Sequence, residues 1–279
     1  MVIDGHQKCT RRVCATVDAE LHCTELGDSH FISCPFTPLY KKRHCENHLP
    51  AHEDAETDEI ESTTDLDLSF EYEYDEPQPP TANLILNEYD SSDPDDQPST
   101  ICQTDKTARE KNPRSAGAVA AVFNCGIIFA LVEIFGSESI TQVYAFMANV
   151  IHNRAHYLPN ILAFDNACKF SRFARNTKKN IKVITQSSET LKNMNYVIDK
   201  FHFKNHVDPW CRANMNPNEH PVAKCVNTEA CEQVFSWLSR YTNILKACNQ
   251  SRFMWILLNI CELKNEDKIR KTKKNLPVV

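Results

Sequence analysis

The stretch Ile161-Leu162-Ala163-Phe164-Asp165-Asn166 places an acidic residue directly after a short apolar run. Four consecutive apolar residues without alternation are typical of a buried strand. The stretch Val2-Ile3-Asp4-Gly5 has a similar pattern near the start of the chain, with a glycine turn after the aspartate. If these two strands lie side by side, Asp4 and Asp165 meet at one edge of a sheet.

A third acidic residue, Glu232, opens the long amphipathic run that continues to Leu238. Two strand-end aspartates and one helix-borne glutamate make a cage of hard oxygen ligands, which suits Mg²⁺ or Mn²⁺. Two such ions can drive in-line attack on a phosphodiester. We therefore predict that Asp4, Asp165 and Glu232 form a catalytic, metal-binding triad. Glu229 lies three residues away on nearly the same helix face and is the alternative third ligand, and Asp199 is a substitute ligand.

The order of the predicted elements indicates an α/β fold. Two apolar segments, 118–123 and 127–135, flank Cys125-Gly126 and predict a hairpin. The following pattern predicts a helix over 137–152 capped by Ser137, a strand over 161–164, a helix over 166–175, a strand over 196–203 and a long helix or helix pair over 228–262, capped by Asn227 or Thr228. With residues 2–4 as the first strand, this order matches an RNase H-like mixed sheet flanked by helices.

The charge of the chain is unevenly distributed. Of 37 acidic residues, 17 lie between residues 51 and 100, where Lys and Arg are absent, which leaves 37 − 17 = 20 acidic residues against 31 basic ones elsewhere. A segment with so little apolar content does not bury enough surface to offset its chain entropy, so we expect residues 51–115 to be a disordered insert after the first strand. The basic remainder is typical of a nucleic-acid binder, although a solvated linker in an ordinary protein gives the same pattern.

Thirteen cysteines are many for 279 residues. We find no secretory signal and no apolar run long enough to span a membrane, so we expect a reducing compartment in which clustered cysteines bind zinc. Five cysteines and five histidines lie in residues 1–50. The pair Cys45-x₂-His48 has the spacing of metal ligands, and we predict a structural Zn²⁺ site formed by Cys14, Cys34, Cys45 and His48.

A second group of metal-ligating side chains lies near the predicted active site. His202 and His206 are four residues apart and are followed by Cys211, and Cys168 follows Asp165 closely. These residues predict either a zinc site or groups that face DNA or support the carboxylate cluster. Hydrogen-bonded histidines of the core give the same pattern. The basic run that begins at Lys268 favours contact with phosphates or nuclear import, although a solvated tail fits equally well.

Several of these motifs resemble those of KDZ (Kyakuja–Dileera–Zisupton) transposases. The most specific block runs from Asp199 to Leu238 and includes Asn227-Thr228-Glu229-Ala230-Cys231-Glu232. Phe164-Asp165-Asn166-Ala167-Cys168, Cys125-Gly126-Ile127-Ile128 and the segment 133–139 also look like family blocks, and Ile3-Asp4-Gly5 is similar to the first catalytic strand. Cys34, Cys45 and His48 resemble the cysteine cluster associated with these elements.

This resemblance implies cut-and-paste DNA transposition by a DDE triad in a eukaryotic nucleus. The implied DNA partner is the transposon ends, and homo-oligomerisation is left open. Because Asp4 lies so near residue 1, we expect a truncated copy. A catalytically inactive, domesticated or decaying remnant that binds DNA or protein is the alternative, and a zinc-stabilised interaction module without a DNA role is a third. The expected division is 1–50 for the first strand and cysteine cluster, 51–115 for the insert, 116–268 for the core and 269–279 for a basic tail.

Overall fold

A computed structural model describes residues 1–6, 9–49, 113–154, 158–176 and 183–274, which all belong to one compact unit. In chain order the strands are β1 (Val2–His6), β2 (Val17–Glu20), β3 (Phe31–Ser33), β4 (Gly117–Val122), β5 (Ile128–Ile134), β6 (Ile161–Ala163) and β7 (Asn195–Val197). The α-helices are α1 (Ile140–Arg154), α2 (Ala167–Arg175), α3 (Gln186–Asn193), α4 (Lys200–Phe203), α5 (Pro209–Asn214), α6 (Ala230–Leu238), α7 (Thr242–Lys246) and α8 (Gln250–Lys274).

Five strands form a mixed sheet in the order β5-β4-β1-β6-β7. Strand β1 pairs with β4 in antiparallel register along its whole length, and β4 pairs with β5 as the predicted hairpin. On the other side β1 is parallel to β6, and β6 is parallel to β7. The prediction of a mixed sheet flanked by helices, with a cysteine cluster, is confirmed.

Helices cover both faces of this sheet. Side chains of successive strand residues point to opposite faces, and in β1 Ile3 packs with α1, α2 and α3, whereas Val2 packs with α6 and α8. Strand β4 is entirely buried and carries three alanines in six residues. These small side chains let α6 approach the centre of the sheet closely, and the thiol of Cys231 lies 3.2 Å from the backbone oxygen of Val2.

Three local predictions are wrong, and in two of them a hydrogen bond between a side chain and a nearby backbone group accounts for the difference. The strand predicted over 196–203 ends at Val197, because the carboxylate of Asp199 accepts a hydrogen bond from the backbone N–H of His202 and caps α4. The predicted long helix begins only at Ala230 and is divided into α6, α7 and α8. In α1 the hydroxyl oxygen of Ser139, rather than that of Ser137, accepts a hydrogen bond from the N–H of Gln142.

The cysteine-rich segment lies against the outer hairpin strand through a buried ion pair. The guanidinium of Arg11 donates to the carboxylate of Glu133 on β5 at 3.0 Å and to the backbone oxygen of Pro35 at 2.6 Å. Arg11 is completely buried. This one side chain therefore joins the loop before β2, the segment after β3 and the central sheet.

The predicted acidic insert and the predicted basic tail are each described only in part. Residues 51–112 of the predicted acidic insert lie outside the described residues. At its C-terminal end the backbone oxygen of Pro113 accepts a hydrogen bond from Val13, and Ser115 donates to Arg11. In the predicted basic tail, residues 269–274 continue helix α8 and residues 275–279 lie outside the described residues.

Candidate active site and cysteine cluster

Sheet register places Asp4 and Asp165 side by side. Val2 pairs with Ala163 in parallel register, so two residues further along each chain segment Asp4 is level with Asp165. Both aspartates share the sheet face of these partners, which is the face covered by α6. Asp165 lies just past the end of β6, where its side chain is partly exposed.

Helix α6 brings the third carboxylate to the same point. The side chain of Glu232 forms a hydrogen bond with that of Asp4. Glu229, the alternative third residue, is instead the N-cap residue of α6, and its backbone N–H donates to the side chain of Asn227. The structure therefore brings Asp4, Asp165 and Glu232 together.

Burial and mutual repulsion make the carboxyl groups of this cluster hard to ionise. Burial raises the pKa of Asp4 well above its usual value, and the charges of Asp165 and Glu232 raise it further. Burial likewise raises the pKa of Asp165 to about 6, against the lowering effect of His202. Strongly perturbed pKa values among convergent side chains are a feature of functional sites.

His202 joins the cluster to Asp199. Its Nδ1 atom lies 2.8 Å from the carboxylate of Asp199, and its Nε2 atom lies 3.5 Å from the carboxylate of Glu232. The hydrogen bond to Asp199 raises the pKa of His202, which favours the positively charged ring. Asp199 thus caps α4 and orients His202, and the ring of His202 faces Glu232.

A fourth carboxylate, that of Glu138, was not among the predicted site residues. Glu138 lies between β5 and α1, and its charge contributes to the raised pKa of Asp4. A Cβ atom at Gly5 would overlap the Glu138 carboxylate. Glycine at position 5 leaves the space beside Asp4 into which the carboxylate of Glu138, the end of a flexible side chain, reaches. In the sequence, the sign of this contact between Glu138 and the backbone is the glycine that follows Asp4.

The predicted zinc ligands Cys14, Cys34, Cys45 and His48 converge. One ligand atom from each residue lies within 4.8 Å of the others, and the three thiols are buried. Bond lengths of ~2.3 Å for Zn–S and ~2.0 Å for Zn–N place two sulfur ligands of a tetrahedral ion about 3.8 Å apart, and sulfur and nitrogen about 3.5 Å apart. The thiols of Cys34 and Cys45 are 3.9 Å apart, and Nδ1 of His48 is 3.3 Å from Cys45 and 3.5 Å from Cys14.

The hydrogen bonds around these four residues resemble those that position the ligands of a metal site. The second ring nitrogen of His48, Nε2, lies 2.8 Å from the carboxylate of Asp18, and such a carboxylate fixes the ring orientation of a metal-binding histidine. The backbone N–H of Cys45 donates to the sulfur of Cys14. Burial raises the pKa of Cys14, but hydrogen bonds with Thr16, Cys45 and His48 outweigh it and lower the pKa to about 6. These four residues have the donor set and the spacing to hold a zinc-like ion.

Three of the four residues in the second predicted group lie together in the structure, and His202 lies apart from them. Cys168, His206 and Cys211 are buried, and their ligand atoms lie within 4.8 Å of one another. His202 does not belong to this group, since it faces Asp199 and Glu232. Burial lowers the pKa of His206, which favours the neutral ring.

The mixed sheet, the carboxylate cluster and the thiol groups define an α/β protein with donor sets for metal ions. The family model described as Kyakuja-Dileera-Zisupton transposase matches residues 37–265. Because this match covers most of the chain, the protein belongs to the Kyakuja–Dileera–Zisupton transposase family, as its motifs predicted. Asp165, Glu232 and His48 lie inside the matched range, whereas Asp4, Cys14 and Cys34 precede it.

Membership of a transposase family implies that the partner is DNA. No curated protein and no solved structure matches the chain in the corresponding comparisons. In the part of the chain that the structure describes, every helix is too short or too polar to cross a membrane.

Proposed function

We propose that the protein is a DDE-type DNA transposase with an RNase H-like core. The sheet order β5-β4-β1-β6-β7, with a hairpin antiparallel to the central strand and two parallel strands beyond it, supports this fold. The single observation that carries the function is the convergence of Asp4, Asp165 and Glu232 from two adjacent strands and one helix.

These three residues have the chemistry to hold two Mg²⁺ or Mn²⁺ ions. Such ions, when bound, would supply activation of a water molecule or a 3′-hydroxyl for attack on a phosphodiester and would stabilise the leaving oxygen. The strand pairing fixes the backbones of Asp4 and Asp165 beside each other, and helix α6 holds Glu232 rigidly. The ring of His202, whose pKa is raised, lies 3.5 Å from Glu232, and in its protonated form it offsets part of the negative charge when no metal is bound.

The cysteine cluster has a separate, structural role in this proposal. Cys14, Cys34, Cys45 and His48 come from loops that lack a large apolar core of their own, and a Zn²⁺ ion would supply folding free energy to such a segment. The buried ion pair between Arg11 and Glu133 connects this segment to strand β5. A nuclear location, with transposon ends as the substrate, accords with family membership.

The decisive experiment is a nicking assay on supercoiled DNA with purified full-length chain. We expect Mg²⁺- or Mn²⁺-dependent nicking that Asp165→Ala abolishes and that Glu229→Gln, a carboxylate change on the same helix as Glu232, leaves intact. Nicking that survives Asp165→Ala would refute the triad. Salt-dependent DNA binding without metal-dependent nicking in the wild type would instead support the inactive, DNA-binding remnant.

A further inference from the structure

Two thiols and one imidazole meet in the core behind the carboxylate cluster. Cys168 lies in the first turn of α2, His206 follows α4 and Cys211 lies within α5. All three residues are buried, although they come from three separate backbone segments. Cys168 is also three residues from Asp165.

The separations among these atoms fit a soft metal ion. The sulfur of Cys168 lies 3.9 Å from Nδ1 of His206, close to the about 3.5 Å that sulfur and nitrogen ligands of one tetrahedral zinc ion require. One ligand atom from each of the three residues lies within 4.8 Å of the other two, the same limit that the N-terminal cysteine cluster satisfies. Three protein ligands leave the fourth position of a tetrahedral ion for a water molecule.

The backbone holds these ligands in position without a metal. The carboxylate of Asp208 accepts a hydrogen bond from the N–H of Trp210 at 2.8 Å and caps the helix that carries Cys211. The guanidinium of Arg212 donates to the backbone oxygen of His206 at 2.6 Å. Both anchors act on the backbone, so they position these two segments without using the Cys211 thiol or the His206 ring.

We propose that Cys168, His206 and Cys211 form a second metal site, specific for zinc or a comparable soft divalent ion. The site joins the first turn of α2 to the segment between α4 and α5. The ring of His206 also hydrogen-bonds the backbone of Asp165, so the ion holds the turn that carries this aspartate. The proposal goes beyond the proposed transposase activity, because metal binding by these residues requires neither DNA nor catalysis.

The test is the zinc content of the full-length chain and its variants, purified under reducing conditions and measured by elemental analysis. We expect two zinc ions per wild-type chain and one in Cys211→Ser. Cys45→Ser should lose the other ion, and the double variant should hold none. Cys261→Ala removes a buried thiol that packs in a different core cluster from either group, and this variant should keep two. Cobalt-loaded wild type and Cys45→Ser should both show thiolate-to-cobalt charge-transfer absorption.

If Cys211→Ser fails to fold, Cys211→His provides a second test, because an imidazole can replace the thiolate as a ligand and should restore two ions. A wild-type chain with one zinc ion that is lost in Cys45→Ser and kept in Cys211→Ser would overturn the proposal. A disulfide between Cys168 and Cys211 in the reduced preparation would also overturn it. Failure of the nicking assay would leave these metal counts unchanged, so the two proposals fail independently.

Discussion

Replacing Asp165 by Asn is expected to stabilise the protein when no Mg²⁺ is present. Burial raises the pKa of this carboxyl from 3.8 to about 6, so the folded state disfavours the charged form. A shift of about two pKa units corresponds to about 3 kcal/mol. Because the side chain is partly exposed and its titration is linked to that of Asp4, we expect a gain of about 1–2 kcal/mol in the free energy of unfolding.

The pH dependence has a definite sign. The folded pKa of Asp165 lies above the unfolded value, so the folded state binds more protons between these values. The wild-type stability due to this group therefore falls as the pH rises from about 4 to about 6 and stays low above that range. The Asp165→Asn variant lacks this titration, so its advantage over the wild type should grow over the same interval and then remain constant.

Thermal unfolding of zinc-loaded protein, dialysed free of Mg²⁺, measures the effect. For a folded part of this size, about 1–2 kcal/mol raises Tm by about 2–8 °C. Adding Mg²⁺ should raise the Tm of the wild type through preferential binding to the folded state, and should raise that of Asp165→Asn much less. Glu229→Gln should behave as the wild type. An Asp165→Asn variant that is less stable than the wild type at pH 7, or that responds equally to Mg²⁺, would refute the reasoning.

Three further outcomes are expected. Cys45→Ser should lose one zinc ion and show faster amide hydrogen exchange across residues 9–49, whereas Cys225→Ser, which changes an exposed thiol, should do neither. Unchanged exchange in Cys45→Ser would show that zinc binding does not stabilise this segment. Gly5→Ala should cost about 0.5–1.5 kcal/mol in urea unfolding, because the new methyl group displaces the flexible carboxylate end of Glu138. Glu138→Ala should relieve most of this cost, and additive effects of the two substitutions would contradict the contact. Arg11→Met should cost about 3–5 kcal/mol by leaving buried Glu133 unpaired, and a loss below about 1 kcal/mol would show that the pair is dispensable.

The strands that position the site were predictable because their sequence signals are local. Unbroken apolar runs end at Asp4 and Asp165, and a short segment that contains Cys125-Gly126 separates the runs that become β4 and β5. The choice of Glu232 over Glu229 rested on its place one turn inside the helix, and the structure brings the Glu232 carboxylate to Asp4. The ligands Cys14, Cys34, Cys45 and His48 were grouped by residue type, and their thiols and ring now lie together.

Other features depend on tertiary contacts that leave no periodic pattern. Glu138 lies in a connection between β5 and α1, and only its approach to Gly5 reveals its place in the cluster. Asp199 follows an apolar stretch that reads as strand, yet its carboxylate ends the strand by capping α4. The pairing of Arg11 with Glu133 joins residues 122 positions apart. Neither residue has a neighbour in sequence that indicates the other.

The chain keeps hard oxygen donors apart from soft sulfur and imidazole nitrogen donors. This separation affects which metal ion each group would bind. Asp4, Asp165, Glu232 and Glu138 offer only oxygen atoms, whereas the two thiol groups offer sulfur and imidazole nitrogen. Magnesium binds oxygen and is a poor partner for thiolates, so it does not compete for the thiol groups. Zinc accepts both kinds of ligand, and its preference for sulfur directs it to the cysteines first. The proposed catalytic cluster is therefore left to Mg²⁺ as long as the cysteines are reduced and zinc is not in excess.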